Sequence, residues 1–312
     1  MKQDFLWTEK YRPKTVKDTV LPEELKGTFQ QFVDQNNIPN LILSGGPGVG
    51  KTTVARAMLE EMGCDYIVIN GSMNGNIDTL RNDIRNFASS ISFTGGRKYV
   101  ILDEADYLNP QSTQPALRNF MEEFSKNCGF ILTCNFKNRI IEPLHSRCSV
   151  IDFKYSKNDK VELSRQIFSR VISIMNHENV DHDKQAIAEL IMKYVPDWRR
   201  VLNELQRYSA TGKIDVGILA SMSDDSFKEL ISYLKDKNFT EMRKWVALNT
   251  DQDSSELFRK LYDEASKYVK PSSIPSMVIT IADYQYKAAF VADQEINITA
   301  CLTQMMAELT WN

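Results

Sequence analysis

The sequence predicts an α/β fold: a five-stranded parallel sheet with helices on both faces, followed by two helical segments. Three observations carry this expectation. First, Leu41-Ile42-Leu43-Ser44 runs into Gly45-Gly46-Pro47-Gly48-Val49-Gly50-Lys51-Thr52 and then Thr53-Val54-Ala55-Arg56-Ala57. That is an apolar strand, a glycine-rich turn and a helix former, in the order of a phosphate-binding loop. Second, apolar runs alternate with helix-forming stretches as far as Phe153, the pattern of parallel strands joined by crossover helices. Third, from Lys157 onward the apolar residues recur at helical spacing.

The glycine-rich loop has a specific chemistry. Glycines let backbone N–H groups close around a phosphate without side-chain clash. The helix starting near Lys51 points its positive end at the same place. Lys51 can reach the β- and γ-phosphates of a nucleotide, and the Thr52 hydroxyl can ligate Mg²⁺. A nucleotide and Mg²⁺ are therefore the expected ligands.

Ahead of this loop, residues 5–22 carry two prolines and alternate aromatic with basic side chains. They read as an extended segment packed on the domain, and Glu23 to Asp34 reads as a helix. After the loop helix, Tyr66 to Ile69 is expected to be a second buried strand. A helix is expected from about Asp78, as a cap or first-turn charge, to about Ser90. Tyr99-Val100-Ile101-Leu102 then runs into Asp103-Glu104-Ala105-Asp106. An apolar strand ending in two acids is the expected partner of a phosphate loop. Asp103 would hold Mg²⁺ and Glu104 would orient the attacking water. Pro110 to Phe124 reads as a helix. Gly129 to Cys134 is a fourth strand ending at Asn135, whose amide suits either a turn or a γ-phosphate contact. Glu142 to Phe153 gives a short helix, a loop bearing Arg147 and a fifth strand. Ligand chemistry in such sheets sits at the carboxyl ends of strands, where Lys51, Asp103, Glu104 and Asn135 all fall.

Beyond Lys157 the chain is expected to be helical throughout. Ile167, Phe168, Val171, Ile172 and Met175 share a face, as do Phe227, Leu230, Ile231 and Leu234, and Leu302, Met305, Met306 and Leu309. These stripes suit core or subunit interface. The expected domains are 1–153 for the nucleotide, 154–220 as a small helical domain and 221–312 as a helical tail.

Composition sets the outer limits. The chain has 312 residues, 42% hydrophobic and 25% charged, with a net charge of −3, so nucleic-acid contact would need a local patch rather than a whole-chain field. No apolar run approaches a membrane span, and the residues after Met1 lack a signal-peptide core. The five cysteines show no C-x-x-C spacing, which points to thiols in a reducing compartment and to no structural zinc.

Taken together, the motifs resemble those of the AAA+ ATPases, and within them the clamp-loader subunits of T4-like bacteriophages and the similar small subunits of replication factor C. The marks are Glu9-Lys10-Tyr11-Arg12-Pro13, the phosphate loop, Asp103-Glu104-Ala105-Asp106, Ser146-Arg147-Cys148 and Pro196-Asp197-Trp198-Arg199-Arg200. The resemblance implies a lid domain after the sheet and a collar domain at the end. It implies that Tyr11, Arg12 and Val20 line an adenine pocket. Gly45, Gly46, Pro47, Gly48, Val49, Gly50, Lys51, Thr52 and Thr53 would hold the phosphates. Thr52 and Asp103 would bind Mg²⁺, and Glu104 would be the catalytic base. Asn135 would be sensor 1 and Arg199 sensor 2. Arg147 would be an arginine finger acting in trans on a neighbouring subunit's ATP, which requires an oligomer.

The implied partners are about four copies of the chain with a different small subunit, a sliding clamp and primer–template DNA, in the cytoplasm of a cell or of a phage host. Arg81, Asn82 and Arg85 occupy the region that implies DNA contact; Arg81 and Arg85 lie four apart on one helix face, which equally suits a solvated surface. Ser112, Thr113 and Gln114 are weaker candidates. Only Cys64 lies where bacterial cellular loaders carry a cysteine-rich zinc module. A DNA-dependent translocase is the competing reading, because Asp-Glu-Ala-Asp also occurs in helicases, but no second strand–helix set follows residue 155. A third reading, a non-catalytic subunit holding ATP as a structural ligand, is disfavoured by the intact Glu104 and Arg147.

Overall fold

The computed structural model describes residues 5–72, 77–90, 92, 96–209, 213–214, 224–249, 254–288, 290–291 and 293–312. The chain divides into two units, Met1–Leu219 and Ala220–Asn312.

The first unit is built on five parallel strands. They are β1 (Leu41–Ser44), β2 (Tyr66–Asn70), β3 (Lys98–Asp103), β4 (Cys128–Cys134) and β5 (Ser149–Asp152), in the order β2-β3-β4-β1-β5. All pairings are parallel. Side chains alternate between the two faces, as strand geometry demands. Ile42, Val100, Leu102, Phe130 and Leu132 enter one core with Ile84, Leu117 and Phe120. Leu41, Leu43, Tyr99, Ile101 and Ile131 enter the other with Phe29, Val54, Met58 and Leu59. The first layer holds α4 (Ile77–Ser89) and α5 (Thr113–Glu123), and the second α2 (Glu23–Asp34) and α3 (Lys51–Glu61). A sheet buried on both faces needs such apolar runs, so the five strands stand out in the sequence.

In this part of the chain three expectations change. Residues 7–10 form a short helix, α1 (Trp7–Lys10), inside the segment read as extended. Trp7 is buried, and its backbone N–H donates to Gln206 Oε1 at 2.9 Å, so tertiary packing holds a turn that the local sequence does not favour. The second strand is only half-buried, because β2 is an edge of the sheet. The helix after Asp103 starts at Thr113 rather than Pro110: Asn109 Oδ1 accepts from the N–H groups of Gln111 and Ser112, and its carbonyl accepts from Thr113 and Gln114. These bonds make residues 109–112 a turn.

After a short helix α6 (Glu142–His145) and β5, the same unit continues into α7 (Lys157–His177), α8 (Lys184–Tyr194) and α9 (Trp198–Ser209). Ser156 and Asp159 form a capping box on α7. Leu163, Ile167, Val171, Ile174 and Met175 are its buried face, with Ile174 where the spacing suggested Phe168 and Ile172. The region is not helical throughout: Asp181–His182 pairs in parallel with Lys213–Ile214. Two-residue strands are too short to show a period.

The second unit is helical in its described parts: Asp224–Lys235, Phe239–Leu248, Ser254–Glu264, Ile274–Ala288 and Gln294–Glu308. Leu230, Ile231, Leu234, Leu302, Met305 and Leu309 share its core, so both stripes read from the sequence are internal. Among the described residues no helix is long and apolar enough to cross a membrane.

Candidate active site

The loop after β1 bends at Gly48 and Gly50, with φ of +70° and +98°. These left-handed angles favour glycine. Gly50 is the N-cap of α3, so Lys51 and Thr52 open that helix. The Lys51 amine donates to the carbonyls of Gly45 and Gly46, each at 2.7 Å, and to Asn135 Oδ1 at 3.0 Å. Burial lowers the Lys51 pKa from its ordinary value, while Asp103 and Asp106 oppose that shift.

At the end of β3, Asp103 Oδ1 accepts from the hydroxyls of Thr52 and Thr133, both at 2.6 Å. Thr133 Oγ1 in turn accepts from the Glu104 N–H at 3.1 Å. Glu104 has φ +56° and ψ +44°, a left-handed conformation uncommon for a side-chain-bearing residue. Such strain clusters where a site holds a group in one orientation. Asp106 Oδ2 accepts from the N–H groups of Asn135 and Phe136 at 3.2 Å each. Thus the end of β3 fixes the residues at the end of β4.

A cavity of about 170 Å³ opens beside this cluster. Gly48, Val49, Gly50, Lys51, Thr52, Thr53 and Asp103 line it from the sheet side, Tyr11, Arg12 and Val20 from the N-terminal segment, and Trp198, Arg199 and Leu202 from α9. Gly46 and Pro47 face a separate groove near Phe153 and Pro196. Gly45, Glu104 and Asn135 border the cluster without lining the cavity. Thr52 and Asp103 present two hard oxygens, a set that suits Mg²⁺ completed by water and phosphate.

The sequence reading missed Thr133 and Arg170 and placed Ile167 only on an apolar helix face, though it also lines the cavity. Arg170, on α7, lines the cavity and donates to the carbonyls of Tyr11 at 2.6 Å and Asp18 at 3.0 Å. Burial lowers its pKa from the ordinary value. Tyr11 donates its hydroxyl to Glu178 and lies 2.6 Å from His177 Nδ1. The only signal for Thr133 was a hydroxyl inside an apolar strand; Arg170 looked like any helical arginine.

Arg147 lies away from the cavity. Its Nε and Nη2 donate to Glu122 Oε1 at 2.9 and 2.5 Å, and its Nη1 donates to the Pro143 carbonyl at 2.9 Å. Arg81, Asn82 and Arg85 are exposed on α4, Arg81 and Arg85 flanking the buried Ile84 and Ala88, and Arg85 Nη2 is 3.8 Å from Glu123. Gln114, named as a weaker candidate for DNA contact, does not present its side chain to solvent. It is fully buried, donates Nε2 to the carbonyls of Leu108 and Arg139, and accepts from the Ile141 N–H. Thr113 is buried too, whereas Ser112 is exposed.

The strand order, the phosphate loop and the acidic strand end define an AAA ATPase, and the model of the ATPase family associated with various cellular activities matches residues 41–155. Models of the sliding-clamp-loader large subunit match too, its AAA+ ATPase lid domain at 159–220 and its C-terminal domain at 253–310. The sliding-clamp-loader large subunit of Enterobacteria phage T4 is 35% identical, with 99% of this chain and 98% of that protein covered. The replication factor C small subunit of Saccharolobus solfataricus is 31% identical over 97% and 94%. The chain belongs to the family of sliding-clamp-loader large subunits. The Thermotoga maritima RuvB Holliday junction branch migration motor shares the fold, with a TM-score of 0.53 and 18% identity over 73% of this chain and 80% of that one.

Proposed function

We propose that the chain binds ATP in the cavity between the sheet and the lid helices and hydrolyses it to load a sliding clamp onto primer–template DNA. ATP binding favours the state that opens the clamp and binds DNA, and hydrolysis releases the clamp. The carrying observation is that Lys51, Thr52 and Asp103 from the sheet and Arg199 from α9 line one cavity with Tyr11, Arg12 and Val20.

In this reading the loop from Gly45 to Thr53 wraps the phosphates, and Lys51 exchanges the carbonyls of Gly45 and Gly46 for phosphate oxygens. Mg²⁺ held by Thr52 and Asp103 would neutralise charge on the β- and γ-phosphates. Glu104 orients and deprotonates the attacking water, and its fixed backbone aims the carboxylate. Asn135, already on the Lys51 amine, senses the γ-phosphate, and Arg199 reaches it from the lid. Arg147 serves a neighbour's ATP, which fits its distance from this chain's own cavity. The working assembly is about four copies with one different small subunit, in the cytoplasm or host cytoplasm. Arg81, Asn82 and Arg85 touch the DNA backbone independently of sequence.

The test is steady-state ATP hydrolysis by the co-purified complex, with no DNA, single-stranded DNA or primer–template, each with and without clamp. Synergy between clamp and primed DNA is expected. Stimulation by single strands alone, indifferent to the clamp, would instead mark a translocase.

A further inference from the structure

Every residue of Ser146-Arg147-Cys148 is tied down. Ser146 Oγ donates to the Pro143 carbonyl at 3.0 Å and lies 3.3 Å from Arg147 Nη1. The Cys148 thiol sits 4.0 Å from Met121 Sδ and packs against the sheet core. Arg147 is gripped by Glu122, the residue after Met121 on α5. Helix α5 is thus a platform whose adjacent residues hold the loop's thiol and its guanidinium. Glu122 Oε1 takes two guanidinium nitrogens, Nε and Nη2, and the Pro143 carbonyl takes Nη1. With the Ser146 hydroxyl, four contacts on a planar group leave it little rotational freedom. The side chain of Arg147 is nevertheless 33% exposed, and these bonds engage four of the five N–H groups of a guanidinium, so one edge keeps donor capacity.

We propose that Glu122 is a positioning residue for Arg147: it holds the guanidinium on the surface of α5 in the orientation in which its open edge meets the γ-phosphate bound by the adjoining subunit. The inference rests on the reading of Arg147 as a finger acting in trans. A long arginine side chain free in solvent loses rotamer freedom when it engages. Glu122 removes that freedom before the subunits meet. Its Oε1 does the positioning by accepting from both Nε and Nη2. Arg118 also faces Glu122, and Glu123 is engaged with Arg85.

The experiment compares E122A, E122Q, R147A and the double variant E122A/R147A in the assembled loader with clamp and primed DNA. E122A should lower kcat by on the order of tenfold or more, the scale of a misplaced catalytic group. KM for ATP and nucleotide affinity of the isolated chain should stay unchanged. E122Q keeps an acceptor oxygen and should retain most of the turnover. In the R147A background, removing Glu122 should cost nothing further, because the pair acts as one unit. If R147A itself leaves turnover unchanged, both the in-trans reading and this inference fall. If R147A lowers turnover but E122A does not, or E122Q loses as much as E122A, or E122A costs the same again beside R147A, the positioning role alone is overturned.

Discussion

Gly48 and Asp197 meet so closely that a Cβ placed on Gly48 would lie 1.7 Å from Asp197 Oδ1. The contact is a joint. Gly48 O accepts from the Trp198 N–H at 3.1 Å, while Asp197 Oδ1 accepts from the Arg200 N–H at 3.0 Å and so caps α9. The phosphate loop and the first turn of the helix carrying Arg199 are thereby one piece. Gly48→Ala adds a Cβ at φ +70° and into this contact. It should cost about 1–3 kcal/mol of stability and weaken ATP binding, read by denaturant unfolding and nucleotide titration. Unchanged values would show that the joint yields freely.

Lys51→Ala removes the amine that sits on Gly45, Gly46 and Asn135. ATP affinity should fall on the order of 100-fold, as when one partner of a buried charged contact is truncated. Equilibrium binding of a fluorescent ATP analogue reads this directly, and normal affinity would sink the phosphate-loop assignment.

Glu104→Gln keeps the backbone bond to Thr133 but loses the base. Turnover should drop roughly 10²- to 10⁴-fold with ATP affinity retained. Single-turnover hydrolysis at saturating ATP checks it; an undiminished rate would leave ATP as a structural ligand.

Gln114→Ala strips three hydrogen bonds from a fully buried amide that ties the turn after β3 to the residues before α6. Two carbonyls and one N–H lose their partner, so stability should fall by roughly 2–4 kcal/mol. Chemical denaturation of the isolated chain gives the number. A loss below about 0.5 kcal/mol would mean that water replaces the amide.

Burial pushes the thiols of Cys128 and Cys134 up to about 11, and those of Cys148 and Cys301 to about 12. The reactive thiolate is therefore suppressed. At pH 8 the folded chain should resist iodoacetamide at these four sites, and the denatured chain should be alkylated at all of them, as mass spectrometry would show. The linkage has a definite sign. A raised folded-state pKa means that the unfolded chain releases protons first. The contribution of these thiols is then complete below the ordinary value of 9 and is lost as pH rises from 9 toward 11–12. Stability that rose over that window would contradict it.

Features encoded in contiguous residues were legible in the sequence. The phosphate loop, the acids at the end of β3 and the helical spacing of α7 each need only a run of neighbours, and buried parallel strands announce themselves as apolar runs. What escaped depends on contacts between distant positions. Trp7 forms a helical turn because Gln206, far along the chain, accepts its N–H. Arg170 reaches the cavity only because α7 folds back over the N-terminal segment. Gln114 is polar and would be expected outside, yet three backbone partners converge on it. The edge position of β2 follows from strand order, which no local pattern carries.

The segment that covers one end of the cavity is moored on the lid side. Arg170 on α7 holds the carbonyls of Tyr11 and Asp18, and Gln206 on α9 holds the Phe5 carbonyl. A nucleotide spanning the cavity would have its phosphates on the sheet's loop and its base under a strap tied to the helices. It would act as a dowel through two pieces of one chain. The stability of the joined pieces would then rise with ligand concentration relative to Kd.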